Sequence, residues 1–214
     1  MTSAFYEIRT CNACGLRYPL TEENSFGERC PACMGETRLI LRRQLIREPK
    51  PFLPDASPAP RKRRKTAVHA VLLDNIRSAW NVGSILRSAE GFGFDHAYCC
   101  GITPTPENEA VTKTSLGAED SVTWSHHKDA VKLVKGLKGD GWKVYALEEA
   151  PKAMPLRKEK GMGRMVLIVG SEVTGVDPEL LDLCDAVFYI PMRGVKKSFN
   201  AAIAFGIAAF ALAD

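Results

Sequence analysis

Four of the seven cysteines fall in two Cys-x2-Cys pairs, Cys11/Cys14 and Cys30/Cys33, with 15 residues between the pairs. That is the spacing of a four-thiolate zinc site, in which each turn supplies two sulfurs to a tetrahedral ion. Gly15 and Gly35 each follow a pair closely, where a tight knuckle needs freedom in φ, and Pro31 stands inside the second pair. A section this short cannot bury enough surface to be stable alone, so metal would supply its folding free energy. Four thiolates leave no open position, which makes the predicted ion structural. The plainer alternative is a set of unrelated buried or redox-active thiols. Cys99, Cys100 and Cys184 have no such pairing and read as small buried hydrophobes.

Three further stretches carry polar side chains where a strand gives way to a helix. In NIRSAWNVGSILRSAEGFG (75–93), a polar loop follows a strand ending near Asp74, and a helix is expected from about Asn81. Open α/β sheets place ligands at such mouths, backbone donors at a helix start suit phosphate, and Arg87 offers a fork of donors. Equally, Asn81 caps the helix and Arg87 is solvated; the residues alone allow both. In VLIVGSEVTGVDP (166–178), an apolar strand runs into an acidic turn flanked by Gly170 and Gly175, which would let backbone approach a flat ligand. Pro178 fits the first turn of a following helix. A simple strand-to-helix turn is the alternative there. In IPMRGVKKSFNAAIA (190–204), a loop with Gly194 and two lysines leads to Ser198, a suitable N-cap for a final helix.

The elements that must position these residues follow from apolar spacing. Strands are expected at Val68–Leu73, His96–Cys100, Trp142–Leu147, Met165–Val169 and Ala186–Ile190, with helices at Ser78–Gly91, Asp129–Leu137 and Ser198–Leu212. This alternation predicts a parallel sheet covered by helices. The last helix is alanine-rich and uncharged until Asp214, and a helix apolar on all sides is normally buried or paired with another subunit. A homodimer contact is expected near it.

Of the 214 residues, 45% are apolar and 25% charged, ordinary fractions for a globular protein. The length allows one good core plus an appendage. No apolar run reaches the roughly 20 residues of a spanning helix, and the start MTSAFYEIRTCNAC has no apolar signal core. A membrane or exported protein is therefore not expected, and the cytoplasm is. The net charge of +4 is unevenly placed: residues 1–65 hold 13 Lys and Arg against 7 Asp and Glu, while residues 66–214 hold 16 against 18. A basic arm that holds a polyanion beside a near-neutral body is implied. Three sections follow: a zinc-ribbon-like domain over 1–47, a proline-rich linker over 48–65 ending in RKRRK, and a body over 66–214. The RKRRK run reads as a phosphate contact ahead of a solvated linker end or an import tag.

Taken in order, NVGSILRSAEGFG, VGSEVTG and IPMRGVKKSFNAAIA resemble the three motifs of the SpoU/TrmH family of RNA ribose 2′-O-methyltransferases, in the SPOUT superfamily. KTSLGAE (113–119) is similar to a further segment of that family. The resemblance covers about residues 67–214 and leaves out the cysteine section. It implies an α/β parallel sheet with a C-terminal trefoil knot, here preceded by a small zinc ribbon, and it implies a homodimer. Pattern alone would instead give an unthreaded sheet. It also implies that Asn81 and Arg87 are substrate-side catalytic residues, that Glu172 is the acid of the second motif, and that Ser198 and Asn200 are the polar pair of the third. S-adenosylmethionine would lie at Gly170, Ile190 and Phe199, with Leu147 and Met192 as further wall positions. Phe199 stands where the family has leucine, and Ala201–Ala202 where it has Val-Ser.

The implied reaction moves a methyl group from a sulfonium to a ribose 2′-hydroxyl of tRNA or rRNA. The family proposal gives proton abstraction to the arginine matching Arg87, reaching into the neighbouring subunit's pocket. Because a guanidinium resists deprotonation, a milder role is to clamp the adjacent phosphate and orient the hydroxyl while the proton passes late to water or another group. Two other functions compete: a zinc-ribbon RNA-binding or assembly protein with an inactive body, and methylation of a base nitrogen.

Overall fold

The computed structural model describes residues 5–21, 28–44, 68–157, 163–196 and 198–212. The expected linker, 48–65, and its RKRRK run lie outside the described residues. The chain divides into two compact units, Met1–Lys62 and Arg63–Asp214.

The described residues of the first unit form a three-stranded antiparallel sheet of β1 (Phe5–Cys11), β2 (Arg17–Thr21) and β3 (Thr37–Gln44), in the order β2-β1-β3. Alternation along β1 sends Arg9 and Cys11 to one face, where both are buried. There Arg9 pairs with Glu7 at 2.6 Å and donates from Nε to Thr37 Oγ1 at 2.9 Å. On the same face Tyr18 donates its hydroxyl to the Arg29 carbonyl at 2.9 Å. Among the described residues, polar bonds and sulfur, rather than a large apolar core, hold this face.

The described residues of the second unit form a seven-stranded, all-parallel sheet. Its strands are β4 (His69–Asp74), β5 (His96–Cys100), β6 (Thr123–His127), β7 (Lys143–Leu147), β8 (Met154–Pro155), β9 (Met165–Gly170) and β10 (Ala186–Tyr189). They lie in the order β6-β5-β4-β9-β7-β10-β8. The helices are α1 (Ala79–Gly91), α2 (Glu109–Ser115), α3 (Ala130–Gly139), α4 (Pro178–Leu183) and α5 (Ala201–Leu212). The apolar strands fall where sequence spacing predicts them. β6 and β8 were not anticipated: Thr-Trp-Ser-His-His is too polar, and Met-Pro too short, to show a pattern.

Every residue of β4 is buried, as both faces of a parallel sheet must be covered. Val71 and Leu73 join Ile85 and Leu86 of α1 and Phe205 of α5 on one side. Ala70 and Leu72 join Val134 and Leu137 of α3 and Leu180 of α4 on the other. Phe94 meets Phe205 edge-on at 5.2 Å between ring centroids, which seats α5 on the first side. Cys99 and Cys100 are buried as expected, and burial pushes their thiols up to about 11 and about 12; Cys184 is half-buried and donates to the Leu180 carbonyl.

Two caps differ from expectation. α1 starts at Ala79 and is capped by Ser78, whose hydroxyl accepts from the Asn81 N–H, so Asn81 is not the cap. α5 starts at Ala201, and its cap is Asn200, whose Oδ1 accepts from the N–H groups of Ala202 and Ile203. Ser198 lies before that helix and does not cap it. In each case the helix starts where a side-chain oxygen meets the free donors of the first turn.

Gly83 lets α1 and α2 touch. A Cβ there would collide with the Val111 carbonyl and the Thr114 side chain. Alanine gains about 1 kcal/mol of helix propensity over glycine, but overpacking against backbone costs about 1–3 kcal/mol or more. Gly83→Ala should therefore lower the thermal midpoint, and an unchanged or raised midpoint would refute the close approach.

Candidate functional site

Three loops at the carboxyl ends of β4, β9 and β10 meet, and polar side chains tie them. Glu172, in the turn after β9, accepts from the backbone N–H groups of Arg77 and Ser78 at 2.9 and 3.2 Å. It also accepts from Asn81 Nδ2 at 2.7 Å. Asn81 Oδ1 in turn accepts from Asn200 Nδ2 at 2.9 Å, which leaves Asn200 Oδ1 for its cap. A carboxylate accepts only, so Glu172 sets the orientation of the Asn81 amide, and Asn81 sets that of Asn200. Partial burial raises the Glu172 carboxyl, but the N–H bonds from Arg77, its own backbone, Asn81 and Ser78 outweigh this and hold it below its ordinary value.

A second carboxylate supports the same turn from below. Asp74, buried at the end of β4, accepts from the Asp177 N–H at 3.0 Å and from Asn75 Nδ2 at 2.8 Å. Burial raises its pKa, and the two bonds oppose the rise. Glu148 clamps the turn from β7, accepting from the N–H groups of Val176 at 2.9 Å and Glu149 at 3.0 Å. Thr103 is buried and bonds both the Ile76 N–H and the Leu73 carbonyl, fixing the loop before α1. Sequence reasoning missed these positioning residues. A carboxylate directly after an apolar strand, as in LLD and YALE, is the signal that could have found two of them.

A cavity of about 790 Å³ opens beside this network. Leu147, Gly170, Ile190, Met192 and Phe199, the five positions expected for a methyl donor, all line it, with Glu172, Ser198 and Asn200. The glycines of the turn also let it close on itself. A Cβ on Gly170 would strike the backbone of Gly175 and Val176, and one on Gly175, which has φ of 71°, would strike the Glu148 carboxylate. Both glycines line the cavity as well. Apolar walls with Glu148, Glu149 and Glu172 against a single described cation, Lys196, suit a ligand with a flat apolar part and positive charge.

Arg87 and Ser198 stay outside the hydrogen-bonded chain. Ser198 is exposed on the cavity wall. Arg87 is exposed, does not line the cavity, and shares a stripe of α1 with Trp80 and Ser84 by helical spacing. Beside that stripe lies an apolar depression formed by Trp80, Phe92, Ile203, Ile207 and Phe210. Trp80 is 61% exposed and Phe210 63%.

Residues 69–210 match the family described as the SpoU rRNA Methylase family. The chain belongs to it. The tRNA (guanosine(18)-2′-O)-methyltransferase of Thermus thermophilus is 30% identical over 148 residues, which cover 69% of this chain and 75% of that enzyme. The crystal structure of the AdoMet-bound rRNA methyltransferase from Sinorhizobium meliloti is similar with a TM-score of 0.63 and 25% identity, over 68% of this chain and 55% of that one. The A. aeolicus TrmH/SpoU tRNA modifying enzyme gives a TM-score of 0.59 at 26% identity, over 66% of this chain and 72% of that one. The chain thus spans little more than half the length of the Sinorhizobium structure. No helix among the described residues is long and apolar enough to cross a membrane.

The SpoU match begins beyond the cysteine section, which carries a site of its own. The sulfurs of Cys11, Cys14, Cys30 and Cys33 all lie within 4.8 Å of one another, with Cys11–Cys33 at 3.5 Å and Cys14–Cys30 at 3.6 Å. A tetrahedron with Zn–S bonds of about 2.3 Å has edges of about 3.8 Å, close to the two short separations, so four convergent thiols fit zinc. The Cys14 N–H, together with that of Ala13, bonds the Cys11 sulfur and draws its pKa down to about 6 against desolvation. A thiolate formed there is ready to ligate. Gly15 has φ of 76° as a knuckle requires; in the second knuckle the positive φ falls on Met34, not Gly35. Gly35 is needed for space, since a Cβ there would press on the sulfurs of Cys33 and Cys11 at 3.2 and 3.3 Å.

Two outcomes follow. Asp74→Ala removes the buried acceptor of the Asp177 N–H and of Asn75 Nδ2 and should lower stability by about 1–3 kcal/mol in chemical denaturation, whereas a neutral result would remove Asp74 from the turn's support. Titrating the chain with a mercurial should release one zinc per chain, and Cys14→Ser should abolish that stoichiometry; retention of a full equivalent by the variant would refute the four-sulfur site.

Proposed function

We propose that this protein transfers a methyl group from S-adenosylmethionine to a ribose 2′-hydroxyl of tRNA or rRNA, acting in the cytoplasm as a homodimer. The observation that carries this reading is the chain of hydrogen bonds from Glu172 through Asn81 to Asn200, at the wall of a cavity lined by all five expected donor positions. The name of the Thermus relative and the AdoMet of the Sinorhizobium structure support the reaction and the donor.

S-adenosylmethionine, when bound, supplies an electrophilic methyl group on a sulfonium. Leu147, Ile190 and Phe199 give the cavity apolar walls, which favour a transfer that disperses charge. Glu172 acts through Asn81 to hold Asn200 at the cavity wall, so the amides meet the RNA already oriented. Arg87 clamps the phosphate next to the target ribose and holds the hydroxyl in line. Its distance from this chain's own hydrogen-bonded network fits a role at a second copy's cavity. The exposed apolar face of α1 and α5, with Trp80, Ile203, Ile207 and Phe210, supplies the surface for that pairing. The family's trefoil knot belongs to the same reading.

Calorimetry should give one donor site per chain, and tritium transfer from labelled donor should produce alkali-resistant linkages in tRNA or rRNA. Arg87→Ala should lose activity about a hundredfold or more with donor affinity unchanged. Retained methylation in that variant would sink the assignment of Arg87. A folded chain that binds no donor would favour an inactive body that only binds RNA. Trp80→Glu with Phe210→Glu should sediment as a monomer; an unaltered dimer would place the interface elsewhere.

A further inference from the structure

The cysteine-rich sheet has a second face, turned away from the sulfurs, and its composition is one-sided. Register pairs Tyr6 with Arg43, Ile8 with Leu41, and Thr10 with both Arg38 and Arg17. Alternation along β1 sends Glu7, Arg9 and Cys11 to the other face, and the register shift in β3 between the partners of Ile8 and Arg9 keeps Arg38 on the face of Leu41 and Arg43. Three corners of this face are therefore arginine, its middle row is apolar around Ile8 and Leu41, and Tyr6 stands at one end. Arg17, Arg38, Arg43 and Leu41 are exposed. None of the three arginines forms an ion pair with a described residue. Glu7 and Glu28 pair with Arg9 on the sulfur side, where Glu7 also meets Arg42 at 3.9 Å. Among the described strand residues, the second face carries three arginines and no acid, beside an aromatic ring and an apolar strip.

From this we infer that the open face of the ribbon, with Arg17, Arg38, Arg43 and Tyr6, is a binding platform for an unpaired segment of the RNA substrate. Guanidinium forks meet phosphates, and an aromatic ring between them stacks a base. A duplex hides its bases and would leave Tyr6, Ile8 and Leu41 without partners, so loops and single strands are the better fit. The inference rests on the RNA methyltransferase reading for its choice of RNA, and it assigns a task to the section that the SpoU match leaves out.

The test uses the full-length chain, zinc-loaded, with a fluorescent RNA hairpin and a blunt duplex of the same stem as probes. Two double variants remove equal charge from different places: Arg38→Ala/Arg43→Ala on the open face and Arg29→Ala/Arg42→Ala off it. The first should weaken hairpin binding about tenfold or more and reduce the slope of log K against log salt by about 1.4, for two lost phosphate contacts on a single strand. The second should change both far less. Tyr6→Ala should weaken hairpin binding at least about fivefold and duplex binding little, while Tyr6→Phe should bind as wild type. Zinc content per chain checks that each variant keeps its fold. Equal losses from the two double variants, or a Tyr6→Ala variant that binds the hairpin normally, would overturn the platform. Donor titration of the same variants reports separately on the catalytic reading: a chain that binds RNA through this face but takes no donor would refute methyl transfer and leave the platform standing.

Discussion

Glu172 sits in a turn of β9 yet spends its carboxylate on the loop that follows β4. Two backbone N–H groups and one amide converge on it, and they belong to a segment more than 90 residues earlier in the chain. The parallel sheet makes this possible because β4 and β9 are neighbours in register, with Asp74 opposite Gly170, so their carboxyl-end loops emerge side by side. Loops at that edge have donors with no strand partner, and an acceptor-only group satisfies several at once. Asp74 returns the favour from the other strand by accepting from Asp177. The two carboxylates thus lock each other's loops, and Asn81 and Asn200 take their orientation from that lock.

The cavity depends on the same arrangement. Leu147 ends β7, Gly170 ends β9, and Ile190 follows β10, three strands that are close in space and far apart in sequence. Glu148 keeps the Gly170–Val176 turn folded back, which leaves the wall open instead of filled. Acids that look catalytic by type are, apart from Glu172's link to the asparagines, mainly structural acceptors.

The cysteine section follows a different physical rule. Among the described residues, Arg9 and Tyr18 are its buried side chains besides sulfur, too little apolar surface for them to stand on burial alone. Sulfur geometry matches zinc, and metal binding is then folding free energy. One face of its described sheet is committed to sulfurs and ion pairs, and on the other Arg17, Arg38 and Arg43 are exposed.

Much of this was legible before any coordinates. The two Cys-x2-Cys pairs name their own chemistry, the apolar strands of the sheet announce themselves by composition, and the three motifs identify the family because they are local in sequence. Local sequence also misled: Asn81 and Ser198 were both eligible caps, but Ser78 and Asn200 hold those places, since a cap is decided by where the backbone donors point. Polar edge strand β6 and two-residue β8 form only because a neighbour offers a ladder. The positioning acids Asp74 and Glu148, the use of Gly170 and Gly175 to close a turn, the exposure of Arg87 away from its own network, and the two unlike faces of the ribbon are all consequences of register and strand order. Residue type and spacing determined which chemistry this chain can perform; long-range strand pairing alone decided which atoms stand within hydrogen-bonding reach, because those contacts join segments that no local pattern connects.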